Sequence, residues 1–284
     1  MSDGLEDVVA ARTVLSDVDG KAGRLVIRGW ALDQLAGTTR YEEVVRLLFD
    51  GFYEDLPDDL TAALGRARTE VFDEVQAVDD GLLALGPVEA MRALTARLAD
   101  GDDLATALRL IAAPAVFTPA IVRLQAGEAP VAPDPSLGHA ADILRMLHGK
   151  TPPAGHPEAL DAYLVTVCDH GLNASTFAAR VVASTRAGLT SAVLAGISAL
   201  KGPLHGGAPG PVIEMLDAIG RPENARPWIE AALERGERLM GFGHRVYRVR
   251  DPRADALKGA VRRLAEESNR LPGRHVTRSG RGGS

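Results

Sequence analysis

Apolar residues recur at helical spacing along most of this 284-residue chain, and this periodicity limits the possible folds more than any other feature. The clearest helix is predicted to start after a capping box of Thr39 and Glu42 and to stop at Gly51. Further helices are predicted over residues 60–78, 88–100, 104–124, 139–148, 157–168, 174–185, 190–200, 209–219, 226–235 and 252–267. Because strands do not alternate with these helices, a parallel α/β fold is disfavoured and the chain is predicted to be mainly all-α.

One small β-hairpin is predicted near the N-terminus. The segments TVLSD and RLVIRGW flank DVDGKAG, which places Asp19 and Gly20 in a turn. Residues 127–137 carry Pro130, Pro133 and Pro135 and are predicted to form an exposed connector.

Composition and charge narrow the class of protein. Hydrophobic residues make up 46% and charged residues 25% of the chain, as in a globule that buries a sizeable core. The net charge of -6 argues against a nucleic-acid-binding domain. Cys168 is the single cysteine, so no intrachain disulfide can form, and it is expected to pack in the core. No secretory signal and no uninterrupted apolar stretch of membrane-spanning length is present, which predicts a cytoplasmic protein without a membrane contact.

Three histidines lie in short motifs rich in glycine or small polar residues. His170 lies in DHGLNAS, His205 in LKGPLHGGAPG and His244 in MGFGHRVYRVRDPR. For His205, a ligand site and a simple helix-ending turn are equally compatible with the spacing. The remaining histidines are interpreted as packing or surface residues; they are His139, His148, His156 and His275.

The segment after His244 is dense in arginine. Arg248, Arg250 and Arg253 follow it, and Asp251 is predicted to cap the next helix, so that an anion would meet both guanidinium groups and free backbone amides. The alternative is a solvated basic surface. Asp169, His170 and Asn173 are likewise compatible with a helix start, in which Asn173 or Ser175 supplies the cap. No phosphate loop, dinucleotide fingerprint or zinc motif is present.

Several of these segments together resemble the citrate synthase family. They are LKGPLHGGA, MGFGHRVYRVRDPRA, DHGLNASTFAARVVAS and the N-terminal SDVDGKAGRLVIRGWALDQLA with YEEVVRLLFDG, and the resemblance extends over about the first 265 residues. The resemblance implies a helical homodimer whose large and small domains close over oxaloacetate and acetyl-CoA. We accordingly expect a large domain over residues 1–205, part of a small domain over 206–267 and a disordered tail over 268–284.

The resemblance also assigns roles to residues. It implies that His205 stabilises the enol of the acetyl group and that His244 polarises the oxaloacetate carbonyl. It places His170, Asn173 and Arg253 at oxaloacetate-binding positions. The positions implied for CoA are Leu239, Gly241, Phe242 and Arg248. No metal or redox cofactor is implied, and acetyl-CoA serves as the co-substrate.

The chain departs from the family pattern after Glu267, where SNRLPGRHVTRSGRGGS replaces the segment expected to carry a catalytic aspartate. Asp255 does not match that position. We therefore expect a truncated form with slow turnover, weak oxaloacetate binding and a tendency to aggregate. Two alternatives remain open from the residues: a 2-methylcitrate synthase that uses propionyl-CoA, and a catalytically disabled relative that acts as a binding or dimerisation module.

Overall fold

The computed structural model describes residues 11–207, 209–237, 239, 241–242 and 246–270, with side chains as far as residue 266. Three short strands come first: β1 (Ser16–Asp19), β2 (Arg24–Ile27) and β3 (Trp30–Ala31). The helices are α1 (Leu32–Leu35), α2 (Tyr41–Phe49), α3 (Leu60–Phe72), α4 (Asp80–Leu83), α5 (Pro87–Thr95), α6 (Leu104–Gln125), α7 (His139–His148), α8 (His156–Thr166), α9 (Ala174–Ser184), α10 (Leu189–Leu200), α11 (Pro209–Ile219), α12 (Ala225–Glu234) and α13 (Pro252–Arg270). The fold is all-α with one small sheet, as predicted.

The predicted hairpin is confirmed. Strands β1 and β2 pair antiparallel, with Ser16 opposite Ile27 and Asp19 opposite Arg24, and β3 adds a third strand that was not predicted. The Asp19 carboxylate accepts hydrogen bonds from the backbone of Lys21 (3.0 Å) and Ala22 (2.9 Å), which closes the turn. These bonds lower the pKa of Asp19.

Helix α6 is the centre of the main core. Its apolar residues pack against α3, α5 and α7, and Pro114 and Pro119 both lie within it. In the described part of the chain it is the one helix long and apolar enough to cross a membrane, and 61% of its apolar window is buried. Phe117 and Ile121 in this window are fully buried, as in the central helix of a core.

The start of α2 differs from the prediction. The capping box of Thr39 and Glu42 is wrong, because Arg40 precedes the helix and its backbone N–H donates to Glu43 Oε2 at 3.0 Å. The buried Glu42 instead accepts a hydrogen bond from the backbone N–H of His139 at 2.7 Å. Helix α2 thus begins one residue later than predicted, because the carboxylate expected to cap it accepts a hydrogen bond from a distant residue instead.

Other helix boundaries differ more simply. The helix predicted over 60–78 ends at Phe72 and continues as a 3₁₀ turn over Asp73–Ala77, and the one predicted over 88–100 ends at Thr95. The short α1 and α4 were not predicted. Helices α7 and α11 match their predicted bounds. Helix α13 reaches Arg270, three residues into the predicted tail, and residues 271–284 lie outside the described part.

A buried ionic network joins α3 to α7. Arg68 and Asp142, both fully buried, are paired at 2.8 Å between Nε and Oδ2, and Arg68 Nη1 lies 3.2 Å from His139 Nδ1. The backbone N–H of Asp134, in the proline-rich connector, donates to both Asp142 oxygens at 3.1 Å. Burial, and then the charge of Arg68, lower the pKa of His139 to about 3. His139 is therefore a neutral packing residue, in line with its interpretation from sequence.

Candidate active site

The half-buried His205 lies in the turn after α10 and faces the start of α9. Its Nε2 lies 3.0 Å from Ser175 Oγ, and the Ser175 hydroxyl donates to Asn173 Oδ1 at 2.7 Å. Asn173 is the residue that caps α9, because its side chain also accepts from the backbone N–H of Thr176 at 3.0 Å. Of the two predicted caps, Asn173 is therefore the one used. The turn itself is closed by His205 N–H, which donates to Gly202 O at 2.9 Å.

The hydrogen position on Ser175 decides what His205 can do. A serine hydroxyl has one hydrogen to donate. When it donates to Asn173, Ser175 Oγ accepts from His205 Nε2–H, and a neutral imidazole has a bare Nδ1. When it turns to donate to Nε2, the ring proton resides on Nδ1, which then acts as a donor. Asn173 Oδ1 stays satisfied in both cases by Thr176.

His170 lies in the loop between α8 and α9 and contacts Tyr247. Its Nε2 is 3.1 Å from the Tyr247 hydroxyl, and the two rings meet edge to face with centroids 5.5 Å apart. Tyr247 is 4% exposed, and burial raises the pKa of its hydroxyl. This hydroxyl therefore stays protonated near neutral pH. The loop also places His170 three residues before Asn173, so one segment supplies a residue to each of the two histidine clusters.

Arg253 lies in the first turn of α13. Asp251 precedes the helix and its Oδ1 accepts from the Arg253 backbone N–H at 3.0 Å, which confirms the predicted cap. The same carboxylate pairs with the Arg253 side chain, with 2.7 Å between Nη2 and Oδ2. The guanidinium carbon of Arg253 lies 5.9 Å from the centroid of the Tyr247 ring. Tyr247 thus brings together His170 and Arg253, two of the residues predicted to bind oxaloacetate.

The residues predicted to contact CoA lie in exposed or half-buried positions. Phe242 is 62% exposed, Arg248 is exposed and Leu239 is half-buried. Gly241 has a positive φ of 85°, and a Cβ there would lie 3.1 Å from Val212 Cγ2. His244 lies outside the described residues.

Two other residues of the region, Arg250 and Cys168, have identified contacts. Arg250 pairs with Asp255 at 2.6 Å, and both side chains are more than half exposed. Cys168 packs against the small core under the hairpin, as predicted, and burial raises the pKa of its thiol to about 12. This cysteine is a packing residue beside the site and not a thiolate nucleophile.

Sequence reasoning missed Tyr247 and Ser16. The available signal for Tyr247 in the sequence was an aromatic residue among arginines. The structure shows that this residue is buried. Ser16 Oγ donates to Asp169 Oδ1 and accepts from the backbone N–H of Gly171 at 2.7 Å, so it holds both neighbours of His170. Nothing in the local sequence indicates a contact over that distance.

Comparisons with known proteins identify the family to which the chain is similar. The family model for citrate synthase, C-terminal domain, matches residues 4–277. The citrate synthase of Haloferax volcanii is 39% identical over 93% of this chain and 74% of its own length. A 2-methylcitrate synthase of Mycobacterium tuberculosis is 38% identical over 92% of this chain and 69% of its own.

A solved structure is similar in fold. It is the ternary complex of carboxymethyl coenzyme A and oxaloacetate with citrate synthase from Thermoplasma acidophilum, which superposes with a TM-score of 0.77 and 28% identity over 95% of this chain and 75% of that one. A family match over nearly the whole chain, relatives above 30% identity and a shared all-α fold lead to one conclusion. The chain belongs to the citrate synthase family, whose members are acyltransferases that carry out citrate synthase-type condensations.

Proposed function

We propose that this chain condenses acetyl-CoA with oxaloacetate to give citrate and CoA. The single observation that carries the proposal is the 3.0 Å contact between His205 Nε2 and Ser175 Oγ at the start of α9, which orients the imidazole in either hydrogen position of the serine. The acetyl methyl group is a very weak acid, so its deprotonation requires a donor that stabilises the developing enol oxygen. A neutral His205 with its proton on Nδ1 is that donor, and the Ser175 hydroxyl donates to Nε2 in the reactive state.

Oxaloacetate would bind at the cluster around Tyr247. Its two carboxylates require cationic partners, and Arg253 offers a planar fork for one of them. His170 and Asn173 are proposed as further contacts, and His244 as the group that polarises the ketone. Asp251 already pairs with Arg253. A substrate carboxylate therefore either shares the Arg253 guanidinium with Asp251 or displaces the Asp251 carboxylate from it. The enol carbon then attacks the ketone, and hydrolysis of the resulting citryl thioester releases CoA.

The carboxylates beside the described site are engaged with other groups. Asp169 accepts from Ser16, Asp251 pairs with Arg253, and Asp255 pairs with Arg250. We therefore assign none of the three as the base that removes the methyl proton. The thiol-release assay therefore has to measure the turnover number of this chain.

CoA is proposed to bind along the segment that carries Arg248. Its exposed guanidinium would meet the phosphates, and Leu239, Gly241 and Phe242 would hold the adenine. The exposed Phe242 ring offers a stacking surface.

A second copy of the chain is the proposed partner. Helix α9 buries none of its residues and α10 buries only Thr190 and Ala192, although both helices are apolar. Apolar faces that are only partly buried within one copy of the chain are typical of surfaces that associate. The two-domain division at residue 205 and the cytoplasmic location remain predictions.

A second candidate substrate is propionyl-CoA. The 38% identity to a 2-methylcitrate synthase favours it as strongly as the citrate synthases favour acetyl-CoA. One added methylene changes the binding free energy by about 1–3 kcal/mol in an apolar pocket. We therefore expect a preference of about ten- to two-hundredfold for one of the two acyl-CoA substrates over the other.

A coupled thiol-release assay tests the proposal. Purified protein is mixed with oxaloacetate and either acetyl-CoA or propionyl-CoA, free CoA is followed with a chromogenic thiol reagent, and the products are identified by mass spectrometry. Oxaloacetate-dependent release with wild type, lost in His205→Ala, supports the condensation. Oxaloacetate binding by calorimetry without any thiol release would favour a disabled binding module instead.

A further inference from the structure

The N-terminal strand β1 contacts the loop of His170. Ser16, its first residue, donates to Asp169 Oδ1 and accepts from the backbone N–H of Gly171 at 2.7 Å. Asp169 and Gly171 are the two neighbours of His170. A single hydroxyl on a paired strand therefore binds the side chain of the residue before the imidazole and the backbone of the residue after it.

The turn at the other end of β1 contacts the segment of Tyr247. Gly20 O accepts from the backbone N–H of Arg248 at 2.8 Å. A Cβ at Gly20 would lie 2.2 Å from Val246 O, a distance at which the two backbones could not keep their positions. Val246 and Arg248 are the two neighbours of Tyr247, so the turn holds this residue as Ser16 holds His170.

The hairpin therefore bridges two segments that are far apart in the chain. Ser16 and Gly20 belong to one ordered antiparallel ribbon, and the separation of their partners is fixed by its register. At this separation His170 Nε2 and the Tyr247 hydroxyl lie 3.1 Å apart. A bond of this length tolerates little movement of either segment.

We propose that Ser16 and Gly20 are positioning residues that set His170 against Tyr247 for oxaloacetate binding. The inference rests on the proposed function and adds the hairpin to the same site. Without the Ser16 hydroxyl, the loop becomes ordered only when the substrate binds, and the entropy lost in that ordering weakens oxaloacetate binding. We assign neither residue a contact with the reacting atoms.

The first test replaces the hydroxyl. Ser16→Ala is expected to weaken oxaloacetate binding about tenfold by calorimetry, because two hydrogen bonds to the loop are lost. Ser16→Thr keeps the hydroxyl and is expected to restore affinity to within about twofold of wild type. Thr13→Ala is the matched control, since within the described part of the chain the Thr13 hydroxyl accepts one local hydrogen bond, from the backbone N–H of Leu15.

The second test replaces the close contact at the turn. Gly20→Ala is expected to displace residues 246–248 and so to separate Tyr247 from His170. Gly81→Ala is the control, because a Cβ there meets only the flexible carboxylate of Asp79, at 3.2 Å. The readout for both tests is the imidazole resonances of His170 in NMR spectra, identified by their loss in His170→Gln. Circular dichroism verifies that each variant is folded.

The outcomes separate the two proposals. Shifted His170 resonances in Ser16→Ala and Gly20→Ala, with unshifted ones in the controls, support the positioning role. Unchanged resonances together with unchanged oxaloacetate affinity overturn it. If wild type binds no oxaloacetate, the proposed function fails, and the resonances still decide whether the hairpin holds the two residues together.

Discussion

His205 Nε2 and Ser175 Oγ lie 3.0 Å apart, and the same hydroxyl reaches Asn173 Oδ1 at 2.7 Å. Because Ser175 bonds one ring nitrogen, it governs which nitrogen of His205 carries the proton. Ser175→Ala is expected to lower kcat at least about tenfold, part of the hundred- to ten-thousandfold that a positioned proton donor contributes. The thiol-release rate measures this. Ser184→Ala, on the same helix, is the control because its hydroxyl donates locally, to Val181 O, and equal losses in both variants would contradict the assignment.

The paired guanidinium of Arg253 gives a second prediction. Arg253→Lys keeps the charge but loses the planar fork, so oxaloacetate is expected to bind about tenfold more weakly. Isothermal calorimetry measures the change in Kd. Arg226→Lys, whose exposed side chain pairs with Glu230 on α12, is expected to bind as wild type does. Unchanged affinity in Arg253→Lys would rule out the anchoring role.

The network around Arg68 gives a prediction for stability. Arg68→Met removes one of two cationic partners of the buried Asp142 and leaves it paired with Arg145 Nη2 at 2.8 Å. Because Asp142 keeps that partner, we expect the free energy of unfolding to fall by about 3 kcal/mol, the lower end for a broken buried pair. Urea unfolding followed by circular dichroism measures the difference. Arg97→Ala breaks a largely exposed pair with Glu74 and is expected to cost about 1 kcal/mol or less. Similar losses in the free energy of unfolding in both variants would show that the buried pair stabilises the fold no more than the exposed pair does.

His139 gives a prediction for pH dependence. Its pKa is lowered from 6.5 to about 3 in the folded chain, so between these values the unfolded state binds a proton that the folded state does not. Stability is therefore present above pH 6.5 and is lost as pH falls towards 3, by up to about 1.4 kcal/mol per pH unit. Urea unfolding at a series of pH values measures this slope. His139→Asn carries no titrating group, and a slope as steep as in wild type would assign the effect to other residues.

The local features of the fold could be read from the sequence. Residues 139–148 and 209–219 form helices with the predicted bounds, and Asn173 and Asp251 cap helices as predicted. Each of these signals acts within a few residues, through the helical repeat of apolar side chains or a side-chain oxygen that accepts from free backbone amides. The motifs around His170, His205 and His244, together with the two N-terminal segments, indicated the family.

Only the tertiary structure decided which distant groups meet. Glu42 was expected to cap its own helix and bonds His139 instead, 97 residues away. Ser16 holds the loop of His170 from more than 150 residues away, and Tyr247 reaches His170 across 77. These contacts depend on how helices and hairpin pack, because the packing brings together polar groups that burial then obliges to pair. The sequence by itself determined the longer helices, the caps at Asn173 and Asp251 and the chemistry of the site residues, whereas the packing determined the partners that orient them.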